Sequence, residues 1–322
     1  MSAVVEEVEG LARIEVDGAP CVAYPRLTGP VAVGDDVLVN AQARELGLGS
    51  GGFDILYANL TQGLELAAEP GAHVMTLPYA LQQAAVRQAE EDGELAETLD
   101  GLPVVCCSLH SQVAPVCAAI GPGHRVAYVQ VAGGALPVAL SDAVRALKRR
   151  ALLATAVAAA PCHDGDVQCV NVASALAWAA AAGHDCVVCS VGPGIVGTGT
   201  FLGHGGVAAA EAANAAAALG GSAVLAARAS SADPRERHRG VSHHTRAVLA
   251  LSLGPMSVAW PQGEDAPEWL EPRREVDVTG WKEACSDLPL SHMGRGPDDD
   301  PAFFRAAFAA GRLAAELVAA RR

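Results

Sequence analysis

The strand-like stretch Cys186-Val-Val-Cys-Ser-Val191 and the run that follows it, Gly192-Pro-Gly-Ile-Val-Gly-Thr-Gly-Thr-Phe-Leu-Gly-His-Gly-Gly206, decide the fold of this chain. The first stretch is apolar, as in a buried strand, and the alanine-rich residues 207–219 after the run are typical of a helix. The seven glycines of the run allow positive φ and a close approach of the backbone. Strand, glycine-rich loop and helix in this order predict an anion-binding arrangement, because successive N–H groups can point at one ligand.

The same alternation of strand and helix runs from residue 71 to 261. It predicts an α/β fold with a doubly wound, mostly parallel sheet and helices on both faces, a Rossmann-like domain that carries the site. The strands are predicted near 72–77, 103–107, 125–131, 152–159, 186–191, 222–228 and 247–260.

Two further segments flank this domain. Residues 1–70 contain short alternating runs separated by Gly-Pro, Gly-Asp and Gly-Ser-Gly-Gly turns, which predict a small antiparallel, β-barrel-like domain. Residues 262–322 are predicted to form a C-terminal extension with a closing helix over 302–320. Asp300 and Pro301 suit the N-cap and first position of that helix, and we prefer this interpretation of the aspartate run to a cation site.

Cap residues predict where other helices begin and end. Ser141 and Asp166 precede helical runs and are expected to cap them with their side-chain oxygens. Gly183 and Gly220 follow helical runs, at positions that favour a left-handed backbone.

The composition predicts a soluble, cytoplasmic protein with a large core. Of its 322 residues 51% are hydrophobic, and the first ten residues lack the basic start and apolar centre of a signal peptide. The longest apolar runs, such as 151–160, are too short to span a bilayer. A formal charge of −14 argues against nucleic acid or an anionic membrane as a partner, because both need a basic face.

The nine cysteines lie mostly within apolar stretches, so we expect reduced thiols in the core. Cys186 and Cys189 form a Cys-x-x-Cys pair. Residues three apart on a strand point to opposite faces, so this pair is not expected to act in redox chemistry or to share a zinc ion.

The loops that leave the predicted strands are long and rich in polar side chains, and ligands of open parallel sheets bind at this carboxyl end. The side chains expected there are His110, His163, Asp164, Asp166, His204, His238, His243 and His244. His124 and His184 lie in helix-to-strand returns at the other end and are discounted.

The segment from Arg228 to Arg246 carries five arginines and three histidines in an otherwise acidic protein. Arginine forks bind phosphate or carboxylate, and histidine gives and takes protons near neutral pH. We therefore interpret the segment as an anion clamp rather than a solvated loop with helix caps. The predicted ligand-binding residues are Gly192, Gly194, Gly197, Thr198, Gly199, Thr200, Arg237, Arg239, Arg246 and Ser242, and the predicted catalytic residues are His243, His244 and Asp166.

In this hypothesis His243 or His244 donates or accepts the proton, in a turn formed by residues 242–245, and Asp166 orients a histidine or a cation. Metal binding is an alternative whose ligand spacing is not diagnostic, so the metal is left unknown. The residues considered for it are His243, His244, Asp233, His163 and Asp166.

The glycine run also admits other interpretations. Its beginning, Gly192-Pro-Gly-Ile-Val-Gly197, matches the dinucleotide fingerprint, and Arg228 could meet the 2′-phosphate of NADP. The additional glycines up to Gly206 weaken this match. A purely structural interpretation is a tight backbone crossing at a subunit contact.

Several motifs together resemble an uncharacterised bacterial family, a domain of unknown function. They are Gly29-Pro-Val-Ala-Val-Gly-Asp-Asp-Val-Leu-Val-Asn40 with Leu46-Gly-Leu-Gly-Ser-Gly-Gly52, Gly192-Pro-Gly-Ile-Val-Gly-Thr-Gly-Thr200, Asp233-Pro-Arg-Glu-Arg-His-Arg-Gly-Val-Ser-His-His-Thr245 and Met293-Gly-Arg-Gly-Pro297. The resemblance spans nearly the whole chain and implies no activity and no catalytic residues.

The sequence thus favours a protein that binds a small phosphorylated or otherwise anionic metabolite, with hydrolase or transferase chemistry that uses histidine as acid or base. The alternatives are a non-catalytic ligand-sensing or assembly module and, third, an NADP-dependent oxidoreductase. The cofactor is unknown, and a homo-oligomer is expected because the helix at 207–219 is polar only at Glu211 and Asn214.

Overall fold

The computed structural model describes residues 1–48, 52–63 and 69–321. The chain divides into two compact units, Met1–Arg87 and Gln88–Arg322. The sequence boundary expected near residue 70 falls inside the first unit, and residues 262–322 belong to the second. Part of the Leu46–Gly52 motif, Gly49-Ser-Gly51, lies outside the described residues.

The first unit contains a five-stranded sheet in the order β1-β2-β3-β5-β4. Its strands are β1 (Ala3–Val8), β2 (Leu11–Val16), β3 (Ala19–Ala23), β4 (Val37–Asn40) and β5 (Asp54–Asn59), with short helices α1 (Pro25–Thr28) and α2 (Gln42–Glu45). All pairs are antiparallel except β3 with β5. Among the described residues β1 and β4 do not pair, so the sheet is open where a closed barrel would join them.

The strand predicted near 72–77 exists as β6 (Val74–Thr76), but it pairs antiparallel with β7 (Ala84–Val86). This hairpin belongs to the first unit and is separate from the parallel sheet. The prediction that β6 is a strand of the parallel sheet is therefore wrong, because a short connection of seven residues, 77–83, favours a hairpin over a helical crossover.

The second unit is built on an eight-stranded, all-parallel sheet in the order β11-β10-β9-β12-β8-β13-β16-β17. Its strands are β8 (Pro103–Cys107), β9 (Val126–Val131), β10 (Thr155–Ala159), β11 (Val167–Cys169), β12 (Cys186–Val191), β13 (Ser222–Ala226), β16 (Met256–Pro261) and β17 (Arg273–Val276). A two-stranded pair, β14 (Ala229–Ser230) with β15 (Gly240–Val241), follows β13. The predicted parallel α/β fold is confirmed.

Helices cover both faces of this sheet. They are α3 (Ala89–Asp92), α4 (Val113–Ile120), α5 (Asp142–Arg149), α6 (Val172–Ala181), α7 (Ala208–Ala218), α8 (His243–Leu251), α9 (Trp281–Ala284) and α10 (Pro301–Arg321). One hydrophobic core lies under α4, α5 and α10, and a second lies under α6, α7 and α8. Among the described residues no helix is both long and apolar enough to cross a bilayer.

The two cores confirm that the side chains of Cys186 and Cys189 point to opposite faces of the sheet. Cys186 packs in the first core and Cys189 in the second, because the two side chains leave β12 on opposite faces. All nine cysteines are buried and free. Their packing in apolar surroundings is that of small hydrophobic side chains.

The helix ends agree with the predicted caps at three of four positions. Ser141 accepts a hydrogen bond from the N–H of Val144, and Gly183 and Gly220 have positive φ. The fourth prediction is wrong, because Asn171 rather than Asp166 caps α6.

Residues 247–260 do not form the single strand that the sequence predicts. The helix α8 occupies His243–Leu251, and β16 begins only at Met256. The hydroxyl of Ser242 accepts a hydrogen bond from the N–H of His244 at 3.2 Å, so the predicted turn at 242–245 is the capped start of a helix.

Candidate functional site

The site lies at the carboxyl end of the parallel sheet, where the order of the strands reverses. The chain forms β8 and β9 first and later inserts β12 between them, after which β13 pairs on the other side of β8. The loop that leaves β8 leads to α4 over the first core, whereas the loops that leave β12 and β13, on either side of β8, lead to α7 and α8 over the second core. Such a switch point is where open α/β sheets leave room for a ligand.

The glycine run crosses the loop after β9 at close range. A Cβ atom on Gly192 would lie 2.1 Å from the carbonyl oxygen of Ala135, and one on Gly205 would lie 2.0 Å from that of Gly133. Backbone hydrogen bonds join the two loops, including Ala135 N–H to Pro193 O at 2.8 Å. These glycines thus serve a backbone crossing within one chain, which fixes the position of the residue between them, His204.

The middle of the run forms a turn closed by its own side chains. The hydroxyls of Thr198 and Thr200 are 2.9 Å apart, and the N–H of Gly203 donates to Thr200 Oγ1 at 3.1 Å. Gly197 pairs with His204, and Gly194 has a positive φ of 67°. The anion-cradling role predicted for these residues stays a prediction.

Four histidine side chains come together beside this crossing. His204 ends the glycine run, His238 lies in a 3-10 turn after β14, and His243 and His244 begin α8. The rings of His204 and His244 stack with centroids 3.6 Å apart, and His243 lies 4.6 Å from His244 and 5.4 Å from His204. His238 lies 4.9 Å from His243. We call these four residues the histidine cluster.

Hydrogen bonds set the orientation of three of these rings. His204 Nε2 lies 3.1 Å from the carbonyl oxygen of Phe201, and His238 Nδ1 lies 2.7 Å from Ser242 Oγ. Arg228 Nη1 lies 2.9 Å from His244 Nδ1. Two buried ring nitrogens of the described cluster, His204 Nδ1 and His243 Nε2, have no hydrogen-bond partner.

A buried ionic network adjoins the histidine cluster. Asp233 is fully buried and accepts two hydrogen bonds from the Arg235 side chain at 2.9 Å each, one from the Arg235 N–H at 3.0 Å and one from Arg295 at 3.2 Å. Arg228 is only 3% exposed and lies 3.8 Å from the same carboxylate. Burial and the charge of Arg235 lower the pKa of Arg228 to about 9.

The pKa of Asp233 results from opposing effects. Burial raises the pKa of this carboxyl, but the hydrogen bonds and charge of Arg235 outweigh burial and hold the pKa well below its ordinary value. Asp233 is therefore an anion at neutral pH, and it balances part of the surrounding positive charge.

Asp300 extends the network to the start of α10. Its carboxylate accepts hydrogen bonds from the Ser230 hydroxyl at 2.5 Å, the Ser231 N–H at 3.0 Å and Arg295 Nε at 3.2 Å. Asp300 does precede Pro301 at the predicted helix start. Its side chain also joins that helix to β14, which the sequence did not indicate.

The histidines of the cluster are held neutral. Burial, followed by the positive charge of Arg228, lowers the pKa of His244 far below its ordinary value and that of His238 to about 3. Burial likewise lowers the pKa of His204 and His243. Each neutral ring carries a lone pair on one nitrogen, so at neutral pH these side chains can accept a hydrogen bond or bind a metal ion.

The predicted arginines lie at the surface around the cluster. Arg237, Arg239 and Arg246 are exposed. The charge of Arg237 contributes to the lowered pKa of His243, whereas the guanidinium of Arg246 lies over the indole of Trp269 at 5.9 Å. Of the three, Arg237 is therefore the one whose charge acts on the cluster.

Asp166 lies far from the cluster, contrary to prediction. Its carboxylate accepts a hydrogen bond from the Ala156 N–H near the amino end of β10 and pairs with Lys148. The loop after β10 runs back along the strand to start β11 in parallel, which carries Asp166 to the opposite end of the sheet. Three strands also separate β10 from β13, a distance of about 19 Å at ~4.8 Å per strand. Asp166 is therefore not a residue of this site.

Arg228, the residue considered for the 2′-phosphate of NADP, has a buried side chain whose Nη1 lies 2.9 Å from His244 Nδ1. Of the other members of the ionic network, Asp233 was considered only as a metal ligand. Three were not among the predicted site residues: Arg235, Arg295 and Asp300. The sequence did contain one indication of this site. The Asp233 and Met293 motifs of the family resemblance contain residues of the network, and Gly197 of the Gly192 motif pairs with His204.

Comparison with family models shows the family. The model described as "Protein of unknown function (DUF3866)" matches residues 20–311, and the chain belongs to this family. The comparisons with curated proteins and with solved structures gave no match.

Proposed function

We propose that the second unit binds a small anionic metabolite, such as a phosphorylated one, at the histidine cluster and acts on it as a hydrolase or transferase. The cluster lies at the strand-order reversal, where an α/β sheet offers room for a ligand. Its neutral imidazoles can activate an attacking oxygen.

The observation that carries this proposal is the local charge. The buried ionic network contains three arginines and two aspartates, so with the neighbouring histidines neutral it has one net positive charge in a protein of net charge −14. The arginines are Arg228, Arg235 and Arg295, the aspartates are Asp233 and Asp300, and the exposed Arg237 adds its positive charge near His243. A partly buried excess of positive charge is stabilised by a bound anion.

Two arginine donors at the site are unused. The buried Nε of Arg228 has no hydrogen-bond partner, and Arg237 is exposed without an ion pair among the described residues. The start of α8 at His243 adds the positive end of a helix dipole. These groups support an anion bound between the 3-10 turn at Glu236–His238 and the start of α8.

Calorimetric titration with orthophosphate, pyrophosphate, sulfate and NADP tests this proposal. We expect at least one anion to bind and the Arg237→Gln variant to bind it about 10-fold or more weakly, the loss expected for one charge-assisted hydrogen bond. Arg149→Gln is the matched control, because Arg149 is an exposed arginine at the C-terminal end of α5, next to the amino end of the sheet. The control should bind like the wild type.

The proposal fails if no anion of the panel binds, or if both variants lose affinity equally. Turnover is measured separately, as release of inorganic phosphate from a panel of phosphoesters and anhydrides. An anion that binds tightly and is recovered unchanged would assign the site to ligand sensing instead of catalysis.

A further inference from the structure

We propose that His204, His243 and His244 bind a divalent transition-metal ion, of which zinc is the best candidate. One nitrogen from each ring lies within 4.8 Å of the corresponding nitrogens of the other two. Three histidine nitrogens with remaining positions open are the ligand set of catalytic zinc sites. Imidazole also suits zinc better than magnesium or calcium, which prefer oxygen ligands.

The hydrogen bonding of His204 prepares it as a ligand. Its Nε2 faces the carbonyl oxygen of Phe201 at 3.1 Å, and because a carbonyl only accepts, Nε2 carries the proton. The lone pair of the neutral ring is then on Nδ1, which is buried and has no partner. Metal-binding histidines typically donate their second ring nitrogen in this way, which fixes the tautomer and ring orientation.

His243 supplies a second open nitrogen. Its Nε2 is also buried without a hydrogen-bond partner. A polar atom buried without a partner destabilises a folded protein, and such groups are uncommon in native structures. Two of them in adjacent rings indicate that a group outside the protein chain satisfies both.

His244 is the third ligand, and here a metal ion would compete with Arg228 for the imidazole. Its Nδ1 lies 2.9 Å from Arg228 Nη1, and Arg228 adds a positive charge beside the site. Asp233 offsets part of this charge, with its carboxylate 3.8 Å from the same guanidinium. Three nitrogens on one tetrahedral zinc lie about 3.3–3.4 Å apart, so small rotations of the rings complete the site.

Metal binding is independent of the proposed function, because it needs no anion. Only the role of the ion in catalysis rests on the proposed function. An open coordination position would bind an oxygen of the anionic ligand or a water molecule. The imidazoles of His243 and His244 would then act through the ion and not, as the sequence suggested, by exchanging protons with the substrate. This revises the roles of the two residues and keeps both in the site.

The test measures metal content of the full-length protein. Protein stripped with a chelator is dialysed against limiting ZnCl2, and bound metal is counted by mass spectrometry. We expect one zinc per chain for the wild type, and dissociation constants raised more than about 100-fold in His204→Gln and His243→Gln. His184→Gln is the matched control, a buried histidine bonded to Ala179 and Thr155 at the other end of the sheet, and should keep its zinc.

Cobalt provides a second readout that does not depend on activity. Co²⁺ bound by three nitrogens in a four-coordinate site gives visible absorption bands, whereas cobalt on cysteine sulfur adds intense charge-transfer bands in the near ultraviolet. The proposal is overturned if the wild type binds no zinc. It is equally overturned if the histidine variants keep the ion, because the ion would then lie elsewhere, for instance on cysteine. Circular dichroism of each variant separates loss of metal from loss of fold.

Discussion

At the scale of single residues, the buried carboxylates are what hold the site together. Asp233 and Asp300 are both fully buried, and Arg295 bonds to both. The partners are far apart in sequence: Asp233 and Arg295 are separated by 62 positions, and Ser230 and Asp300 by 70. Neither pairing could be read from the sequence, because spacing along the chain gives no information about such long-range contacts.

We predict that Asp300→Asn lowers the free energy of unfolding by about 3 kcal/mol, the usual loss when one partner of a buried ion pair is removed. The substitution leaves Arg295 with only Asp233 and weakens the bonds to β14. Urea titration followed by tryptophan fluorescence measures the change. All four tryptophans lie in the second unit: Trp178, Trp260, Trp269 and Trp281.

Asp298→Asn is the control for this prediction, since it removes the same charge from the same aspartate run. The Asp298 side chain is 90% exposed and pairs only with Lys282 among the described residues, so its loss should not change stability measurably. If both substitutions lowered stability equally, the role assigned to Asp300 would be wrong.

At the scale of elements, the sequence predicted the parallel strands well because they are buried on both faces. The two central strands β8 and β12 have the predicted bounds, since continuous apolar runs with flanking breaks mark such strands clearly. The same property misled the prediction at 247–253, where Ala-Val-Leu-Ala-Leu-Ser-Leu is equally apolar. A short apolar run fits a buried helix or a buried strand, and here the cap at Ser242 decides for the helix.

The glycine run yields a prediction that separates backbone packing from ligand binding. Gly192→Ala should destabilise the second unit by about 1–3 kcal/mol, because the new Cβ would lie 2.1 Å from the Ala135 carbonyl oxygen and must displace backbone. Gly199→Ala should leave stability unchanged, since a Cβ there meets nothing within 4 Å. Thermal or urea unfolding of the two variants measures the difference.

The pair also tests the anion cradle expected from the sequence. If the backbone near Gly199 contacts an anion, Gly199→Ala should weaken the affinity measured by calorimetry while stability is unchanged. Equal affinity in wild type and Gly199→Ala would instead leave the run with the structural role of crossing the loop after β9 and positioning His204.

At the scale of the whole molecule, stability should depend on pH through histidines held neutral inside the second unit. His292 is the clearest example outside the histidine cluster: it is 3% exposed, its ring stacks on Phe303 at 3.8 Å, and Nδ1 lies 3.3 Å from the Ser111 hydroxyl. Burial, followed by the charges of Arg228 and Arg295, lowers the pKa of His292 to about 3.

The direction of this pH dependence follows from the protonation of His292 in the unfolded and in the folded protein. Below pH 6.5 the unfolded chain binds a proton at His292, whereas the folded protein does so only near pH 3, so acid favours unfolding. Titration of His292 therefore leaves the free energy of unfolding unchanged above pH 6.5 and lowers it as the pH falls from 6.5 towards 3. Between pH 7.5 and pH 5.0 the loss amounts to about 2 kcal/mol for one histidine.

His292→Phe should remove this dependence, because phenylalanine keeps the stacking on Phe303 and does not titrate. We expect the stability difference between wild type and variant to shift by about 2 kcal/mol in favour of the variant from pH 7.5 to pH 5.0, measured by urea titration with tryptophan fluorescence. His73→Phe, at an exposed histidine of the first unit, should show the wild-type dependence. Parallel pH curves for wild type and His292→Phe would mean that His292 is protonated in the folded protein at pH 5, and that the positive charge around it is balanced more fully than the arginine and aspartate positions indicate.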